Sequence, residues 1–187
     1  MTTRRLFVSI DLPEELTAAV DSVQRPFREL SGVRPTEPEQ AHVTMKFLGD
    51  VPDERVSGVT ALMEEAIEQV DSAPFEATIE GIGVFPSFDY ISVVWLGVRD
   101  GATDMTRLHE ALETAFVDAG YDEEQHDFTP HVTIARVDHA GSKERIQELV
   151  AEGDPTVGSF RVDSLQLKES HLRSDGPEYE TIGSVAL

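Results

Sequence analysis

Cysteine is absent from the 187 residues, which rules out disulfides, thiolate nucleophiles and cysteine-bound zinc or iron–sulfur sites. Lysine is nearly absent: Lys46, Lys143 and Lys168 stand among 15 basic residues, against 36 acidic ones, for a formal net charge of −21. A surface that acidic repels nucleic acid at ordinary ionic strength. Also missing is any apolar run approaching the roughly 18–20 residues that a membrane span needs. The N-terminus passes from Arg4-Arg5 directly into a strand-like run, with no signal-peptide core. These absences lead to the expectation of a cytoplasmic protein that engages no membrane.

The acids are spread over amphipathic segments instead of lying in a block, so the chain does not read as a disordered tail. With 40% apolar residues, residues 1–187 can build one compact two-lobed unit with a proper core, expected to be a monomer. Abundant acid with little lysine fits halophilic adaptation to a very salty cytoplasm. Near 1 M salt the Debye length is only about 3 Å, so self-repulsion is screened and an anionic substrate can approach.

What the chain does contain is one short phrase written twice, His42-Val43-Thr44-Met45 and His131-Val132-Thr133-Ile134. Each reads as a strand. Alternation with period 2 puts His42 and Thr44 on one face and Val43 and Met45 on the other, and does the same for His131 and Thr133 against Val132 and Ile134. If the halves of the chain are related by a pseudo-twofold axis, the two polar faces can meet across a cleft.

The surrounding pattern supports such a duplication. A strand at Leu6–Ile10 precedes a helix expected from Pro13 to about Leu30, with Pro26 as a kink or end, and then a polar connection over Gly32–Gln40. The first motif strand should run from His42 to Leu48 and be turned by Gly49-Asp50; a helix follows from Pro52, with Val56, Val59, Met63, Ile67 and Val70 at core spacing. Strands at Phe75–Val84 and Tyr90–Val98, a helix at Thr103–Ala119, the second motif strand, a helix at Ser142–Ala151 and closing strands at Phe160–Glu169 and Tyr179–Ala186 complete the order. The expected fold is therefore α+β, bilobal and duplicated, with two antiparallel sheets lining a central cleft and helices packed outside.

An imidazole has an ordinary pKa near 6.5, so one ring can hold a proton while its neighbour does not. Two of them on opposite sides of a phosphorus atom can activate water and protonate a leaving oxygen, and hydroxyls at the adjacent same-face positions can hold the non-bridging oxygens. Either histidine alone would pass for a structural residue in a sheet; the matched pair points to a site. His109, mid-helix, and His126, His139 and His171, in polar surroundings, suit surface or capping roles. A zinc site would want three clustered ligands, and neither motif supplies a second histidine or a carboxylate at ligand spacing.

The paired His-Val-Thr-apolar motifs, the Arg4-to-Leu12 opening, Gly83-Val84-Phe85-Pro86-Ser87, the run Phe128 to Arg136, and Ser170-His171-Leu172 to Tyr179 resemble the 2H phosphoesterase superfamily. The branch they look most like is the RNA 2′,3′-cyclic phosphodiesterases, also called the 2′-5′ RNA ligase family. The resemblance implies a metal-independent enzyme without a cofactor that hydrolyses RNA 2′,3′-cyclic phosphate ends to 2′-phosphates. It further implies that His42 is the proton donor and His131 the proton acceptor, with Thr44, Thr133 and Arg136 binding the substrate. Spacing alone does not tell donor from acceptor in so symmetric a pair. Strict alternation places Arg136 opposite His131, so a bulge or strand end is needed to turn it inward, whereas Lys46 has the parity to point into the groove. Phe85, Phe88 or Tyr90 could stack a base, with ordinary packing as the plainer alternative. Remaining alternatives are 2′-5′ RNA ligation, another cyclic phosphodiesterase activity and a non-catalytic RNA-end-binding module, the last disfavoured by the lack of a basic patch.

Overall fold

A computed structural model describes all 187 residues. The opening strand, β1 (Thr3–Asp11), is followed by α1 (Thr17–Gln24), β2 (Val33–Pro35) and the first motif strand, β3 (His42–Pro52). Then come α2 (Asp53–Gln69), β4 (Phe75–Pro86), β5 (Ile91–Val98), α3 (Ala102–Asp118) and the second motif strand, β6 (His131–Val137). The chain ends with α4 (Lys143–Glu152), β7 (Thr156–Val162), β8 (Ser164–Arg173) and β9 (Gly176–Ala186).

All nine strands form one antiparallel sheet in the order β7-β4-β5-β6-β3-β1-β8-β9, with β2 paired to β6. The α+β expectation holds; the expectation of two separate sheets does not. The motif strands lie side by side at the middle, joined by the pair Val43↔Val132, with three strands beyond each of them. The seam is short: β3 meets β6 only at Val43↔Val132, and β2 takes the same edge of β6 over Ala135–Val137. The histidine faces thus adjoin along one surface, not across a gap between sheets.

Helices α2 and α3 pack on each other and reach β9 and β3 respectively. Their buried residues, Val59, Met63, Ala66 and Ile67 on one and Met105, Leu108, Leu112 and Phe116 on the other, follow the helical spacing read from the sequence. Pro52 precedes α2, and Asp53 and Glu54 occupy its first turn, where they favour the positive end of the dipole.

Four local expectations change. The long first helix is broken into a 3-10 turn at Glu14–Leu16, α1, and a second 3-10 turn at Arg25–Phe27 that contains Pro26, which has no N–H to continue an α-helix. Within the supposed connection, Val33–Pro35 forms β2 by pairing with β6. Gly49-Asp50 does not turn the chain: Gly49 takes φ +69° and β3 continues to Pro52 alongside β1, so the glycine serves an irregularity within the strand. Finally, the run expected as one strand at Phe160–Glu169 divides at Asp163 into β7 and β8, which lie in opposite halves of the sheet.

Two bulges decide which side chains reach the central surface. Along β3, Ser9 pairs with Thr44 but Val8 with Lys46, so Met45 is the extra residue. Along β6, Trp95 pairs with Thr133 but Val94 with Ala135, so Ile134 is extra. Met45 and Lys46 are consecutive buried residues, and so are Ile134 and Ala135. Alternation therefore reverses at the same place in both motif strands, immediately after the motif threonine.

Candidate active site

Both motif faces line one cavity of about 660 Å³, whose walls include His42, Thr44, His131, Thr133 and Arg136. The antiparallel register through Val43↔Val132 sets His42 diagonal to His131 and Thr44 diagonal to Thr133 across the β3–β6 seam. Val43 and Val132 are fully buried behind them. The alternation read from the sequence thus delivers all four polar side chains to one surface.

Each imidazole is oriented by a backbone carbonyl two residues upstream. His42 Nδ1 donates to the Gln40 carbonyl at 2.8 Å, and His131 Nδ1 donates to the Thr129 carbonyl at 2.6 Å. Carbonyls only accept, so both Nδ1 atoms carry hydrogen and Nε2 is the nitrogen on each ring left to exchange a proton. His42 Nε2 lies 3.1 Å from the Thr44 hydroxyl.

Aromatic walls complete the two half-sites. His42 lies against Phe7 and Tyr179, with ring centroids 5.2 and 5.3 Å away. His131 meets the edge of Phe85 at 4.9 Å and Trp95 at 6.1 Å. Burial among these rings is the main cause that lowers the pKa of both histidines, because it disfavours the charged form. The carbonyl on Nδ1 opposes that shift in each ring, and the nearby charges then differ. Asp11 pulls His42 back up while Lys168 and His131 push it down; for His131 the nearby charge is Arg136, which pushes it down further. The Tyr179 phenol is pushed up by burial, with Arg136 opposing, so it stays a hydrogen-bond donor.

Arg136 reaches the cavity because the Ile134 bulge reverses the parity of β6, the condition that strict alternation had required. The same reversal in β3 sends Lys46 the other way. Lys46 is fully buried, and its Nζ donates to Glu113 Oε2 at 2.8 Å and to the Asp122 carbonyl at 2.9 Å. Phe47 takes the surface position instead. The expectation of Lys46 in the groove is corrected accordingly.

Phe85 packs on Trp95 as well as on His131, so it is a wall of the histidine pocket; Phe88 and Tyr90 do not line the main cavity, and Tyr90 borders a separate small one. His109 is not a surface residue. It is buried, donates from Nδ1 to the Met45 carbonyl at 2.8 Å, and stacks on Phe128 with ring centroids 4.1 Å apart. It therefore braces the bulge of one motif strand and the approach to the other. His139 does act as a cap, accepting from the Gly141 amide.

Arg5, Phe7, Gln40 and Tyr179 also line the cavity. Gln40 serves twice, since its carbonyl holds His42 and its side-chain oxygen accepts from the Tyr179 amide at 2.8 Å. Alternation along β1 could have placed Arg5 and Phe7 on one face; nothing local marks Gln40. Two histidine–carboxylate groupings bring possible ligand atoms together, His109 with Glu113 and Glu124, and Glu169 with His171 and Glu180. Neither contains a motif histidine, and Glu113 in the first is already engaged by Lys46.

Residues 12–173 match the family model for the 2′-5′ RNA ligase superfamily. The RNA 2′,3′-cyclic phosphodiesterase of Methanothermobacter thermautotrophicus is 36% identical over 177 residues, covering 94% of each chain. Its counterpart from Aeropyrum pernix is 34% identical, covering 82% of this chain and 85% of its own. Among solved structures, TT0787 of Thermus thermophilus superposes with a TM-score of 0.82 at 28% identity, covering 98% of this chain and 97% of that one. LigT of E. coli complexed with 3′-AMP shares the fold, with a TM-score of 0.80 at 24% identity and coverage of 99% and 98%. With a family match over most of its length and relatives of this similarity, the chain belongs to the 2′-5′ RNA ligase superfamily, within the 2H phosphoesterases.

Proposed function

We propose that this protein hydrolyses RNA 2′,3′-cyclic phosphate ends to 2′-phosphates by acid–base catalysis between His42 and His131, within a single two-lobed unit. The supporting observation is the pair of imidazoles, each locked with Nδ1 on a carbonyl, that share one cavity with Thr44 and Thr133. The relatives named for this activity cover most of the chain and supply the substrate class.

Water approaches phosphorus on the His131 side, where Nε2 takes its proton. The new P–O bond forms as the bond to the 3′ oxygen breaks, and that oxygen takes the proton carried by His42 Nε2. The products are a 2′-phosphate and a free 3′-hydroxyl, and solvent returns the proton from His131 to His42. Thr44, Thr133 and Arg136 hold the non-bridging oxygens, where donors matched to developing charge act most strongly.

The charges around the two rings differ. Asp11, itself paired with Lys168 at 2.7 Å, favours a proton on His42 while Lys168 and His131 disfavour one, and Arg136 disfavours one on His131. An arriving phosphate anion favours the charged form of both rings, opposing the effect of burial. The acid-rich surface suits operation in a strongly saline cytoplasm, where screening lets RNA approach.

A short oligonucleotide ending in 2′,3′-cyclic phosphate, incubated in high salt with a chelator, should yield only the 2′-phosphate end. A 3′-phosphate product, or an intact cyclic end with wild-type protein, would remove this reading.

A further inference from the structure

The cavity has a second cationic position away from the reacting centre, formed by Arg5 and Phe47. The mirrored bulges make Phe47 of β3 the counterpart of Arg136 of β6. One half-site therefore has a guanidinium beside its histidine, and the other has an aromatic ring. That ring carries its own cation, since the Arg5 guanidinium lies over Phe47 at 5.1 Å from the ring centroid.

Arg5 and Phe47 both line the cavity, and Phe47 keeps 45% of its surface exposed, so the stack faces the opening. Of the three arginines lining the cavity, Arg34 is held by Asp138 at 2.6 and 2.9 Å, whereas Arg5 and Arg136 pair with no carboxylate. Arg55, Arg107 and Arg161 also pair with no carboxylate, but none of them lines the cavity. The neighbouring Arg4, by contrast, is paired with Glu169.

The separation of the two cations follows from β1. Arg5 and Phe7 are two residues apart, about 7 Å along a strand, and Phe7 is the residue that touches His42. Arg5 thus lies one strand step outward from the reacting centre, on the β1 side, while Arg136 stands on the His131 side. A mononucleotide cyclic phosphate presents one anionic group and uses only the centre. A ligand that satisfies both cations carries a second anionic group further along, as a polynucleotide does.

We propose that Arg5, preorganised on the Phe47 ring, binds the phosphodiester immediately 5′ of the terminal nucleotide and so makes the enzyme prefer polynucleotide ends to mononucleotides. This rests on the hydrolytic reading above. A planar guanidinium suits a phosphodiester by its paired donors, and the aromatic face fixes it without adding a competing carboxylate.

The test compares kcat/KM for a cyclic-phosphate-ended oligonucleotide and for a 2′,3′-cyclic mononucleotide, in wild type and Arg5→Gln. The oligonucleotide-to-mononucleotide ratio should fall roughly tenfold, the scale of one charge-assisted hydrogen bond lost. Loss of one phosphate contact should also make the dependence of log kcat/KM on log salt for the oligonucleotide shallower by about 0.7. Phe47→Leu, which keeps the charge but frees the side chain, should lower the ratio less. Melting temperatures verify that the variants fold, as an exposed arginine allows. An unchanged ratio, whether both substrates suffer equally or neither does, overturns the proposal. Wild-type protein inert toward both substrates refutes the hydrolytic reading and the role of Arg5 with it.

Discussion

Replacing Lys46 by methionine should destabilise the protein by about 2–3 kcal/mol. Lys46 is the fully buried member of an ion pair whose other member, Glu113, keeps one-fifth of its side chain exposed. Breaking a fully buried pair costs about 3–5 kcal/mol, because a charge is left behind without compensation. Here the group left behind is Glu113, which still reaches solvent and still accepts from the Glu124 amide at 2.7 Å, so the cost is lower. Methionine preserves most of the packing of the lysine stem. In a chain of this size that loss lowers the melting temperature by roughly 4–12 °C. The reciprocal change, Glu113→Gln, should cost more, about 3–5 kcal/mol, because it leaves an ammonium in a fully buried place with no paired carboxylate, only neutral acceptors such as the Asp122 carbonyl. The double variant should then be more stable than the sum of the singles predicts. Burial pushes the Glu113 carboxyl up, but the Lys46 hydrogen bond, the Glu124 amide and the Lys46 charge outweigh it and leave the pKa below its ordinary value. A depressed carboxylate stabilises the fold above its unfolded pKa, near 4.3, and that contribution disappears as pH falls through the folded value. The gap between wild type and Lys46→Met should therefore narrow below about pH 4. Denaturant unfolding measures all of these. A Glu113→Gln variant no less stable than Lys46→Met, or strictly additive losses, would refute the placement of Lys46.

Substitutions near the histidines should move the limbs of a bell-shaped pH profile for kcat/KM. Asp11→Asn removes an influence that raises His42, and Arg136→Gln removes one that lowers His131. With His42 as proton donor and His131 as acceptor, both changes narrow the bell; a widened bell would reverse which ring holds the proton. Salt should stabilise the fold, because a net charge of −21 repels itself and the Debye length shrinks from about 10 Å at 0.1 M to about 3 Å at 1 M. A melting temperature that does not rise in KCl over that range would contradict an acid surface adapted to high salt.

Much of the site was legible because period-2 alternation is a local rule. His42 and Thr44, like His131 and Thr133, are brought to one surface by sequence spacing alone, and the apolar stripes of α2 and α3 follow an equally local period. The failures came where a partner elsewhere in the chain decides. One inserted residue in each motif strand exchanges the predicted faces of Lys46 and Arg136, and a bulge exists only relative to the strand opposite it. The merging of two expected sheets into one depends on a single pair, Val43↔Val132, which no pattern within either strand announces. His109 sits mid-helix among charged neighbours, and its burial follows from the Met45 carbonyl and the Phe128 ring arriving from distant segments. Glycine misled at Gly49 because a positive φ serves a strand irregularity as readily as a turn.

The most direct measurement is the pH dependence of kcat/KM for cyclic-phosphate-ended RNA in His42→Asn and His131→Asn, with folding verified for each. Each variant should be slower by about 10² to 10⁴ and should keep one limb of the bell while losing the other. Either variant retaining full activity or both limbs would mean that the two imidazoles do not share one phosphorus.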